Sequence, residues 1–206
     1  MRFFSPDSKF AQVMTSLGEM MLLNLCWILA SIPLVTVGAA NTAMYTVMGR
    51  RLRKEGSGTV VPFFKAWWQN LKISTGFWLA QIFITVSLSM ILFLPLPGIL
   101  KGTAVFLLIL VTAVFSLIYP QIARFRNRWF PYLRNAIILL VLKFGTVAGN
   151  LLLILSPGLL FVLAPVEFFQ TGIVWILFGC SGIFYFSAKL MGKIMEPLEE
   201  MAEARK

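Results

Sequence analysis

The chain of 206 residues contains no histidine and only eight carboxylates. These are Asp7, Glu19, Glu55, Glu167, Glu196, Glu199, Glu200 and Glu203, and four of them crowd the last eleven residues. Without histidine there is no His-based triad and no His-ligated zinc. So few acids leave little material for an acid–base dyad. The two cysteines, Cys26 and Cys180, each lie inside an apolar run. They read as small buried hydrophobes, not as a disulfide or a metal clip. No Gly-x-x-x-x-Gly-Lys-Ser/Thr loop is present, which removes an intrinsic nucleotide motor. No row of arginines lies inside an apolar run, as voltage gating requires. No polar connection is long enough for a soluble domain. The expectation is therefore no enzyme activity, no cofactor and no metal.

What the chain has in excess is apolar surface. Hydrophobic residues make up 59% and charged residues 13%, against about a quarter charged in an ordinary soluble domain. A single soluble globule of this size cannot hide that much oil. Runs at 73–94, 102–123, 135–156 (extending to 164) and 168–188 are each long enough to cross a bilayer core as a helix. None alternates with period two, so a β-barrel is not favoured and helices must satisfy the backbone in lipid. The predicted fold is all-α: a polytopic transmembrane helical bundle with five to six membrane segments, forming one integral membrane domain over 1–206.

A fifth run, 20–37, is shorter and ends in Pro33-Leu34-Val35-Thr36-Val37-Gly38. It is either a single crossing or the first arm of a broken helix that turns at Pro33–Gly38 and returns through 39–48. The second arrangement gives six segments with both termini on one side, and it is preferred here. The leader 1–16, with Phe3, Phe4, Phe10, Val13 and Met14 among polar residues, reads as an interfacial helix. Its charges cancel, which does not suit a cleaved signal peptide, and Gly38-Ala39-Ala40 resembles a cleavage site only faintly.

The net charge of +10 is not spread over a face. It falls in blocks between apolar runs, which argues against nucleic acid and for a topology signal. Arg50, Arg51, Arg53, Lys54, Lys65 and Lys72 form one block; Arg124, Arg126, Arg128 and Arg134 form the other. Both blocks, and the tail 190–206, are expected on the cytoplasmic side. There the basic residues would meet anionic headgroups.

Several features stand out against that background. The Pro33, Thr36 and Gly38 elbow reads as a structural turn or as a broken helix lining a site. Residues 62–72 read as a separate cytoplasmic interfacial helix, Pro62 starting it. Its Phe63, Phe64, Lys65, Trp67, Trp68, Asn70 and Lys72 are candidates for lipid anchoring or partner contact. Arg124 and Arg126 follow Pro120 on alternate residues; in a helix that spacing points them apart, which argues against a single phosphate clamp. Lys143 falls inside an apolar run, where a charge is a functional candidate by default. It either snorkels, pairs with Glu19 at a similar depth, or lines a transport path. Gly145 and Gly149 offer a small-residue groove for another helix, in this chain or in a second copy.

The succession Asn24-Leu25-Cys26-Trp27, then Pro33-Leu34-Val35-Thr36-Val37-Gly38-Ala39-Ala40, resembles the opening of the YesL family. The likeness continues in Phe63-Phe64-Lys65, Asn70-Leu71-Lys72 and Tyr119-Pro120-Gln121-Ile122-Ala123-Arg124-Phe125. That family comprises small membrane proteins of unknown function, mainly from Gram-positive bacteria. The resemblance implies a bacterial cell-membrane location. Members are often encoded beside carbohydrate ABC importers, their solute-binding proteins and sensor kinases. It therefore implies an accessory role in sugar uptake or its regulation, with importer subunits or a sensor protein as partners. The alternative is a small stand-alone transporter or channel.

Overall fold

The computed structural model describes residues 9–56 and 58–203, with side chains from Phe10 to Met195. Phe3 and Phe4 of the leader, and the side chains of the acidic tail, lie outside the described residues. Among the described residues the regular structure is all helical. The elements are α1 Lys9–Ser31, a 3-10 turn Leu34–Thr36, α2 Val37–Leu52, α3 Val60–Phe93, α4 Gly98–Arg124, α5 Trp129–Leu142, α6 Phe144–Leu163, α7 Pro165–Gln170, α8 Gly172–Val174, a π-helical turn Trp175–Gly179 and α9 Cys180–Glu203. Five helical stretches are long and apolar enough to cross a membrane: Phe10–Ser31, Val60–Phe93, Gly98–Arg124, Phe144–Leu163 and Gly172–Met195. The molecule is a polytopic membrane bundle.

Large apolar side chains stand on the outside as well as in the core, and small polar ones are buried with the core. Phe93, Ile99, Val162 and Leu163 are exposed, while Asn24, Thr42, Ser74, Asn150, Ser181 and Ser187 are buried. With lipid as solvent, apolar side chains gain nothing by hiding, and small or hydrogen-bonding residues hold helices together.

Pro33 ends α1, because the residue before a proline is pushed out of the helical region. The Thr36 hydroxyl lies 2.6 Å from the Ala30 carbonyl and 2.8 Å from the Pro33 carbonyl, satisfying backbone that α1 leaves open. The chain then reverses. Trp27 meets Asn41, and Glu19 meets Arg51 at 3.0 Å, so α1 and α2 are the antiparallel arms of a hairpin. Arg51 also donates to the Ser16 hydroxyl at 2.5 Å. The elbow is tied to α3 where the Trp78 indole donates to the Leu34 carbonyl at 2.8 Å. Trp78 lies about 22 Å short of Phe93 at helical rise. The hairpin therefore enters the bundle and returns without reaching the end of α3. Glu19 of α1 meets Arg51, and Met191 and Gly192 of α9 line one small cavity with Gly49 and Arg124, so the start of α1 and the later part of α9 both lie beside the basic residues.

Two sequence expectations change. Residues 62–72 are not a separate interfacial helix. They form the first third of α3, which runs unbroken for 34 residues, because nothing between Lys72 and Ile73 breaks it. Phe63 and Ala66 are buried and Trp67 packs on the same core, whereas Phe64, Lys65, Trp68 and Lys72 are exposed.

The run 135–156 is not one helix either. It breaks at Lys143 (φ −125°, ψ 37°) into α5 and α6. Tyr132, Ala136, Leu139, Val147 and Asn150 are buried, and on a straight helix Lys143 would fall on that same face. The break swings the charge out instead, and Lys143 is exposed. Glu19 pairs with Arg51, not with Lys143.

Candidate functional site

The hairpin turns part-way along α3, its tip residues Ile32, Leu34 and Val35 exposed, and beside this elbow lies a chamber of about 350 Å³. Six helices contribute to it. Trp27 comes from α1, Asn41 and Tyr45 from α2, and Trp78 and Gln81 from α3. Thr112, Ser116 and Tyr119 come from α4, Ile154 and Pro157 from α6, and Cys180, Ile183 and Phe184 from α9. Its volume falls in the lower part of the ~300–1,000 Å³ range of small-molecule sites. Five aromatic side chains and four neutral polar ones face it, and among the described residues no charged one does.

The polar groups are oriented by their neighbours. An indole N–H can only donate, so Trp27 Nε1, 2.9 Å from Asn41 Oδ1, turns the amide nitrogen of Asn41 away from itself. Tyr119 donates to Gln81 Oε1 at 2.9 Å, with the same effect. The Ser116 hydroxyl gives its proton to the Ala113 carbonyl, and Thr112 gives its own to Leu108. The chamber thus offers amide donors beside hydroxyl acceptors, set among aromatic faces. That array suits a small uncharged molecule with several hydroxyls. Among the described residues an ion would find no counter-charge there, and an unpaired ion away from water costs several kcal/mol (roughly).

Beneath the chamber the helices are locked by buried hydrogen bonds. The Tyr45 and Ser187 hydroxyls meet at 2.6 Å, Ser187 donates to Asn150 Oδ1, and Asn150 Nδ2 lies 3.4 Å from Ser116 Oγ. This joins α2, α9, α6 and α4. Thr42 and Ser74 hydroxyls meet at 2.8 Å between α2 and α3. Gly38 permits that approach: a Cβ there would collide with the Ser74 carbonyl and with Trp78. Pro157 removes a helical donor to the Leu153 carbonyl, and Ser156 fills the gap at 2.7 Å. On the other flank Asn24 stitches α1 to the π turn and to the start of α9. Its Nδ2 donates to the Ile176 carbonyl at 2.5 Å, and its Oδ1 accepts from the Ser181 N–H at 2.8 Å.

Of the residues singled out in the sequence, Thr36 and Gly38 shape the elbow beside the chamber, while Lys143 does not line it. Gly145 has open space around it and Gly149 reaches only Leu190 Cδ1, at 4.0 Å from an added Cβ. The α3 aromatics 63–68 lie toward the basic end, away from the chamber. There Arg53 holds Glu55 in a two-point bond at 2.7 and 3.0 Å. That bond, with the fields of Arg53, Arg50 and Arg124, keeps the Glu55 carboxyl below the usual carboxylate range. Among the described residues no cluster of acids and thiols is placed to hold a metal.

Sequence reasoning missed the chamber. Asn41, Gln81, Thr112 and Ser116 come from three separate helices, and only their spacing within each helix hints at a shared inner face.

A family model described as "Protein of unknown function, DUF624" matches residues 20–94. This chain is similar to that family over the hairpin and α3, which supply Trp27, Asn41, Tyr45, Trp78 and Gln81 to the chamber. No curated protein and no solved structure matches the chain.

Proposed function

We propose that this chain is a small stand-alone membrane carrier whose central chamber binds an uncharged, hydroxyl-rich solute of carbohydrate type. The observation that carries the reading is the chamber itself, with oriented amides, hydroxyls and aromatic faces beside a broken hairpin. Sites at the depth where a discontinuous helix ends are a recurring arrangement in secondary transporters. Aromatic faces pack on the C–H surface of a sugar while amides and hydroxyls meet its rim. The basic end would face the cytoplasm of a bacterial cell.

The resemblance to the YesL family supports a second reading, in which the chain is an accessory to a carbohydrate ABC importer. Phe64 and the 73%-exposed Trp68, beside Lys65 on α3, offer the contact surface such a partner needs.

The test uses purified protein in liposomes. Tryptophan fluorescence is titrated with neutral monosaccharides and polyols, and flux of the best binder is then followed. The carrier reading expects saturable binding and flux. Asn41→Ala and Gln81→Ala should each weaken binding by about threefold to tenfold, as for a lost neutral hydrogen bond. Saturable binding without flux moves the assignment to the accessory reading. Absence of binding to every neutral polyol, with the protein folded, removes the chamber from both.

A further inference from the structure

A second cavity, of about 440 Å³, opens at the basic end between α2, α3, α4 and the start of α5. Its polar side is formed by Gln69, Asn70, Arg124, Arg126 and Asn127, and its other wall is apolar, with Ile122 among its residues. Among the described residues no carboxylate lines it.

Alternate arginines on a continuing helix would point apart. Here α4 stops at Arg124 and the chain turns extended at Phe125 (φ −115°, ψ 142°). Arg126 is therefore not on the helix, and it faces the same cavity as Arg124. The segment bearing it is pinned. The Tyr132 hydroxyl accepts from the Asn127 N–H at 2.9 Å and donates to the Phe125 carbonyl at 2.5 Å, on a side chain only 2% exposed. Arg126 sits between those two fixed points. Glu55 is held by Arg53 and does not line the cavity.

We infer that this cavity is a phosphate-binding site that takes a phosphoryl group attached to an organic body, with Arg124 and Arg126 on the phosphate and the Ile122 wall against the rest. Two guanidiniums with neighbouring amides match the donor demand of a phosphate. The mixed lining suits an anionic lipid headgroup or a soluble phosphate monoester, which share this chemistry. The inference does not depend on what the central chamber binds.

Full-length protein is tested in two arms. In the first, nanodiscs of phosphatidylcholine are doped with phosphatidic acid, and lipid retained after extraction is counted by native mass spectrometry. In the second, glycerol phosphate is titrated calorimetrically. One saturable equivalent is expected in at least one arm; lipid alone identifies a headgroup site, and binding of glycerol phosphate identifies a soluble ligand. Arg126→Gln should weaken that binding by about tenfold or more, the loss expected for a charged hydrogen bond. Arg128→Gln, on the same segment but outside the cavity, should change it by less than about twofold. Tyr132→Phe should weaken it by a few-fold through the unpinned loop. Melting of the Arg126→Gln protein should match wild type, since that side chain is exposed. Equal losses for Arg126→Gln and Arg128→Gln would mean diffuse attraction to basic residues and would overturn the inference. So would the absence of a saturable equivalent in both arms.

Discussion

The two cavities are of similar size, about 350 and 440 Å³, and are built largely by the same helices. Along α2 the chamber takes Tyr45 and the basic cavity takes Thr46; along α4 the chamber takes Tyr119 and the cavity takes Ile122 to Arg124. Their chemistry is nonetheless opposite. The inner one is neutral and aromatic; the outer one carries two guanidiniums. The difference tracks depth. Where water is scarce an ion costs far more than a paired amide, so the inner site is built from amides and hydroxyls. At the end of the bundle water and headgroups screen charge, and arginine becomes affordable.

The sharpest way to break this contrast is to exchange the chemistries. Ser116→Asp puts a carboxylate among the chamber hydroxyls and should destabilise the bundle by several kcal/mol (roughly), seen as lost yield and early melting in detergent. Asn70→Asp places the same group beside Arg124 and Arg126, and its melting should stay within about 1 kcal/mol of wild type. Equal damage from both would show that depth does not govern the two sites.

Next in size is Asn150→Leu, which removes the acceptor for Ser187 beneath the chamber. A cost of about 1–3 kcal/mol is expected, the range for leaving a buried polar group unmatched. Thermal melting followed by tryptophan emission measures it, and an unchanged midpoint would remove Asn150 from the lock. Tyr132→Phe should cost about 1 kcal/mol. Hydrogen exchange should quicken at 125–128 while 41–45 stays protected; faster exchange in both would mean that the cavities are not independent. The smallest effect concerns Glu55. Its folded carboxyl titrates below its unfolded one, so its contribution is present above the ordinary carboxylate range and fades as pH falls through the lowered value. Glu55→Gln should flatten only that acid limb of melting midpoint against pH, and only slightly, because the pair is solvated.

Much of this architecture was legible in the residues. Apolar runs located the spans, Pro33 and Gly38 located the reversal, and the basic blocks marked one end. The misread elements share a cause, which is that local pattern does not report tertiary company. Residues 62–72 looked interfacial because Phe63 and Trp67 look like a belt, but α2 covers them. Lys143 sits in a run that reads as one helix, where it could snorkel, pair with Glu19 or line a path; the break at Lys143 was not legible, although Gly145 two residues later is the weak point a helix would choose. Arg124 and Arg126 looked divergent because the helix was carried past its true end. The chamber was illegible for a deeper reason: its amides and hydroxyls come from separate helices and acquire meaning only when those helices meet.

The stitch at Asn24 joins the first helix to a carbonyl 152 positions later. A polypeptide emerging from the ribosome delivers Asn24 long before Ile176. The contact between the first helix and the π turn is therefore a seam that can close only after the helices between them have been made.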